Sequence, residues 1–233
     1  MPRTPGWREG QNKSGGRYKM TIGPWIAKLL ALGSASLNQS KAKIDVNVLR
    51  SAGTLGDELA QVLDAKNGFD AFESALHFFP AQTSLLSVGI DEWNDPDGWT
   101  KEYGDLAAGC LFFAEDIFGG QFCIASSCVW QFDPETGEKN LMAASLDEWA
   151  KKVLDDYEVL TGHPLAHAWQ KKNGPLPEGM RLVPRIPFVC NGEFALSNLI
   201  LMESEKGMRI RGSLARQIHD LPDGAQISFR IDS

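Results

Sequence analysis

The spacing of apolar positions changes along this chain, and each change predicts an element. Residues 110–130 (CLFFAEDIFGGQFCIASSCVW) read as an apolar strand, an acidic pair, an aromatic-Gly-Gly turn and a second apolar strand. Leu111 and Phe113 fall on one sheet face, Phe122 and Ile124 share a face, and Val129-Trp130 begin a third run, because side chains two apart point the same way. Gly119-Gly120 supplies the positive-φ freedom that a close reversal needs. Trp130 to Asp133 leads into Pro134-Glu-Thr-Gly137, a turn signal, and Leu141-Met142 returns as a further strand. Three or four antiparallel strands in sequence make a meander.

Helical spacing flanks this region. A helix is expected through Trp25, Ile26, Leu29 and Leu30, and a second over residues 55–63 with Leu55, Leu59, Val62 and Leu63 on one face. Phe69, Phe72, Leu76 and Phe79 continue that period as a short helix stopped by Pro80. Residues 91–104 form an irregular, aromatic-rich connection carrying Trp93, Trp99 and Tyr103. The clearest helix starts at Ser145-Leu-Asp-Glu148, a capping box, and carries Leu146, Trp149, Ala150, Val153, Tyr157 and Leu160 to its end at Gly162 and Pro164. Its Trp149 and Tyr157 stripe is read as core against the meander. A shorter helix covers residues 165–172.

A Pro-rich crossing over 173–190 enters a strand at 186–189. A strand at 196–202, a helix at 208–221, a turn at Pro222-Asp-Gly224 and a strand through Ile227, Phe229 and Ile231 follow. The fold class is α+β: an antiparallel meander sheet packed by helices, with a C-terminal αβ extension at 173–233. Residues 1–20 lack periodicity and read as a disordered tail, or as sequence ahead of a start at Met20, before a single domain at 21–233.

Composition narrows the function classes. At 233 residues and 43% apolar, with seven Trp and twelve Phe, the chain can bury a sizeable core. No apolar run reaches the length of a membrane span, and no secretory cleavage pattern is present. Four Cys in a chain this long do not make a disulfide scaffold, so the cytoplasm is the expected location. Of the net charge of −7, residues 1–20 hold +4 and the remainder −11. An acidic body argues against direct nucleic-acid binding and suits a basic protein partner.

Candidate chemistry is sparse. Adjacent strand residues point to opposite faces, so Glu115 and Asp116 are expected as a solvated strand end rather than a converging acid/base pair. Cys123-x4-Cys128 and His163-x3-His167 imitate a zinc set. The 34 residues between them hold a turn, a strand and a full helix, unlike a compact finger, so no metal or cofactor is expected. No Cys starts a helix, Ser126-Ser127 is not in a nucleophile elbow, and no phosphate loop is present. A Cys-His enzyme would need Cys110, Cys123, Cys128 or Cys190 to meet His163, His167 or His219 in a pocket.

Leu111-Phe-Phe-Ala-Glu-Asp-Ile-Phe-Gly119, the strand of Phe122 to Ile124, the strand pair around Asp133-Pro-Glu-Thr-Gly137 and the capped helix together resemble the SUKH superfamily, the Smi/Knr-like proteins. The resemblance covers roughly residues 105–160. The chain departs from that family in lacking its N-terminal Leu-Pro pair, in placing Asn67-Gly68 before Phe69, and in extending through 173–233. The resemblance implies a non-enzymatic binding module, with many bacterial members looking like immunity proteins that neutralise toxins. It points to a surface class: Glu115, Asp116, Asp91, Glu92 and Asp95 as acidic contacts for a basic toxin domain, and Trp93 and Trp99 as hot spots if exposed. Core burial is the favoured alternative for each Trp. An intracellular scaffold of the same fold is the second reading, and the Cys-His enzyme the third.

Overall fold

A computed structural model describes residues 22–222, 224 and 225. The N-terminal tail and the final strand expected from the sequence lie outside the described residues. The chain opens with helices α1 (Pro24–Leu32), α2 (Val46–Ser51) and α3 (Thr54–Ala65), then strands β1 (Phe69–Ala71) and β2 (Leu76–Phe78) and the short helix α4 (Ile90–Trp93). Strands β3 (Leu111–Asp116), β4 (Gln121–Ala125), β5 (Cys128–Phe132) and β6 (Lys139–Ala143) follow, then helices α5 (Leu146–Asp155), α6 (Tyr157–Thr161) and α7 (His163–Asn173). The C-terminal part holds β7 (Met180–Pro184), β8 (Leu199–Glu203) and α8 (Ser204–Ile218). The fold is α+β.

β1 to β6 form one sheet in chain order, every neighbour antiparallel, and β7 and β8 pair separately. The meander is thus longer than the sequence predicts, because the residues read as a short helix from Phe69 to Phe79 form the β1–β2 hairpin. Phe69 and Phe78 are cross-strand partners with stacked rings 5.1 Å apart, so burial on one sheet face sets their spacing. The turn between them uses three consecutive non-glycine residues at positive φ, Phe72, Glu73 and Ser74, and no glycine advertises it.

Both faces of the central strands are covered, which explains why all six residues of β3 are buried. On one face Trp149 of α5 meets Phe78, Phe113 and Phe122. On the other, Phe112 and Phe132 meet Trp99 and Tyr103, and Met208 of α8 reaches Gln121. Burying rings of this size supplies much of the apolar driving force.

Local chemistry fixes the helix ends. Ser145 accepts from the Glu148 amide at 3.1 Å, while the Glu148 carboxylate reaches back to the Ala144 amide at 2.9 Å. The neighbouring Asp147 accepts from the Trp25 and Ile26 amides, capping α1 across the helix pair where Gly23 offers no side chain. The helix expected to run to Leu160 breaks at Asp156, which leaves the helical region with φ −141° and separates α5 from α6. Tyr157 therefore stacks on Phe72 instead of extending the Trp149 stripe. The strand expected at 186–189 is displaced to β7, and Phe188–Cys190 is a 3-10 turn.

Candidate functional site

β3 carries Glu115 and Asp116 into the interior, and both are buried rather than solvated. Glu115, 1% exposed, has the Arg181 Nε 2.8 Å from its Oε1, while its Oε2 accepts from the Gln121 amide at 3.0 Å and from the Ser204 hydroxyl. The Arg181 contact is ionic, because its N–H does not line up as a hydrogen bond. Asp116 accepts from the Phe118 and Gly120 amides, both at 2.8 Å, and so builds the turn that Gly119 completes at φ 79°. Burial pushes the Asp116 carboxyl up to about 7, against the pull of those two amides and of Arg211. The expectation that this pair meets a partner is therefore corrected: the strand end is roofed by β7 and α8, not by water.

Trp93 and Trp99 are likewise interior. Trp93 stacks on Phe79 at 4.7 Å and donates its indole N–H to Gln121 Oε1 at 2.9 Å, and Trp99 lies 5.4 Å from it and 4.8 Å from Phe112. Neither ring can be a contact hot spot. Their packing instead fixes α4 and the turn after it.

The other three acidic candidates, Asp91, Glu92 and Asp95, are exposed on that fixed platform, with Asp97 beside them. Asp45, the cap of α2, faces Asp91, whose carboxyl is held above its ordinary value by partial burial and by the Asp45 charge, against the Asp45 amide. Among the described residues, none of these five carboxylates is in an ion pair. Thr83 fastens the preceding loop to this ridge: its hydroxyl donates to Glu92 and accepts from the Gly89 amide at 2.9 Å. Two residues on, Leu85 is fully exposed and Leu86 is 42% exposed. An apolar tip thus stands on the loop that Thr83 fastens to Glu92 of the unpaired acidic ridge. Nothing in the sequence Ser84-Leu-Leu-Ser87 distinguishes an exposed pair from a buried one.

No cysteine shares a depression with a histidine among the three that either residue type lines here. Cys123 is buried in β4 with Cys110 beside it, and all four cysteines are free. Cys110 lines one depression with Asn94 and Lys101, His219 another with Trp130 and Lys139, and His167 a third with Glu73 and Gln170. None of the three brings a cysteine to a histidine. His163 and His167 instead meet Glu73, a residue the sequence gives no reason to join to them. Among the described residues no helix is long and apolar enough to cross a membrane.

No protein-family model matches the chain, and no curated protein matches it. Among solved structures, the chain is similar to the crystal structure of Atu4351 from Agrobacterium tumefaciens, with a TM-score of 0.56 at 10% identity, covering 79% of this chain and 86% of that one. At that identity the likeness is one of fold.

Proposed function

We propose that this chain is a cytoplasmic, non-enzymatic binding module of SUKH type, acting as an immunity protein that neutralises a basic toxin domain. The observation that carries the reading is the exposed Leu85-Leu86 tip on the loop fastened to the unpaired acidic ridge of Asp91, Glu92 and Asp95. Charge complementarity steers encounter and selects a cationic face, and a desolvated apolar anchor supplies residence time. The platform supports the same reading, because Trp93 and Trp99 hold the ridge in one geometry and little ordering is left for binding to impose. The SUKH resemblance of residues 105–160 adds the class of partner.

The test is co-production in a susceptible cell with a basic, secreted protein encoded beside this chain's gene. Restored growth, lost when Asp91, Glu92 and Asp95 are reversed to Lys, supports the reading. Growth arrest undiminished by the wild-type chain overturns it in favour of an intracellular scaffold.

A further inference from the structure

The β1–β2 turn and the start of α7 bring Glu73, His163 and His167 together, and we propose that these three residues bind one divalent first-row transition ion, zinc by preference. The ligand atoms of all three lie within 4.8 Å of one another. His163 Nε2 is 3.5 Å and His167 Nδ1 2.7 Å from the same Glu73 oxygen, Oε2. Zinc bonds of about 2.0–2.1 Å at tetrahedral angles put neighbouring ligand atoms about 3.3 Å apart. The His163 distance already matches. The His167 distance is that of a hydrogen bond, and it opens by about 0.6 Å when an ion replaces the shared proton. Binding therefore requires His167 to present Nδ1 as a neutral imidazole with its proton carried on Nε2.

The scaffold holds the set in place from both sides. The histidines are one helical turn apart on α7, which puts both rings on one face. Glu73 sits at φ 54° between Phe72 at 53° and Ser74 at 63°, a left-handed run that non-glycine residues rarely adopt. Two contacts impose it: Phe72 stacks on Tyr157 at 4.7 Å, and Gln170 donates to the Glu73 carbonyl at 2.7 Å. Tyr157 also packs 5.2 Å from the His163 ring, limiting its rotation. Imidazole nitrogen with one carboxylate suits zinc over magnesium or calcium. Three protein ligands leave a fourth position for water or for a donor from a partner. The depression lined by Glu73 and His167 is also lined by Ser74 and Lys171, and the Lys171 charge opposes a cation there. An ion at this point would pin the hairpin turn to α7.

The full chain, stripped with a chelator and kept reduced, is titrated calorimetrically with zinc chloride and, in parallel, with cobalt(II) followed by its visible absorption. One ion per chain is expected, with visible cobalt bands and no thiolate charge-transfer band. His167→Ala and Glu73→Gln, both at exposed positions, are expected to retain the wild-type circular dichroism and to bind at least about tenfold more weakly. No binding, wild-type affinity in both variants, or a thiolate band that assigns the ion to cysteines overturns the proposal.

Discussion

Glu115 of β3 and Arg181 of β7 meet at 2.8 Å with both side chains almost wholly withdrawn from water. This pair ties the six-stranded sheet to the C-terminal strands. Gln121 extends the network to Trp93, and Ser204 extends it to the first turn of α8. The acidic residue that looks most like a binding contact in the sequence is therefore a structural joint.

Removing one partner of such a pair strands a charge in the interior. Arg181→Ala is expected to destabilise the fold by about 3–5 kcal/mol in urea denaturation, and a well-packed apolar double replacement, Glu115→Leu with Arg181→Met, to recover most of that. A loss under about 1 kcal/mol for Arg181→Ala would mean the pair is solvated.

Asp116 gives the fold a pH dependence of predictable sign. Its carboxyl ionises near 3.8 ordinarily and at about 7 in the folded chain, so between these values the folded state holds the extra proton. Its contribution is fully present below pH about 4 and is lost as the pH rises through about 7. Asparagine keeps an oxygen for the Phe118 and Gly120 amides and carries no charge. Asp116→Asn is expected to gain stability relative to the wild type as the pH rises over this window, and parallel urea midpoints for the two would contradict it.

Ser145 caps α5, whose Trp149 closes one face of the sheet. Ser145→Ala is expected to cost about 1 kcal/mol, read as a lower urea midpoint at unchanged slope. An unchanged midpoint would show that Glu148 and Asp147 hold these helix ends without it.

Leu85 is fully exposed and touches no core. Leu85→Ala is expected to leave the urea midpoint within about 0.5 kcal/mol of the wild type and to weaken partner binding by about 1 kcal/mol or more. Full affinity in this variant would move the contact off the tip.

The elements legible in the sequence are those in which local chemistry and tertiary burial agree. The β3–β4 reversal carries its glycines, the turn before β6 closes with Gly137 accepting φ 70° and its amide on the Asp133 carbonyl, and the capping box stands at the start of α5. Phe69, Phe72, Leu76 and Phe79 misled because their spacing fits a helix, while the reversal among them is forced by Tyr157 and Gln170, far along the chain. Glu115 and Asp116 misled for the same kind of reason. A period-2 pattern reports one covered face, and here Arg181, Ser204 and Met208 arrive from the C-terminal extension to cover the second. Asp91, Glu92 and Asp95 were legible as surface acids because charge without a partner stays in water. Their neighbours Leu85 and Leu86 were not, since exposure of an apolar pair has no sequence signature. Glu73 joins His163 and His167 only in space.

On the proposed function, a basic protein docks on the ridge of Asp91, Glu92 and Asp95. The most direct measurement runs two baits side by side through lysate and secretions of the native cell: the wild-type chain, and the chain with these three residues reversed to Lys. Bound proteins are identified by mass spectrometry. A stoichiometric basic partner is expected on the wild-type bait, released by salt, and is expected to be lost from the reversed bait at unchanged circular dichroism. Equal capture by both baits would contradict it.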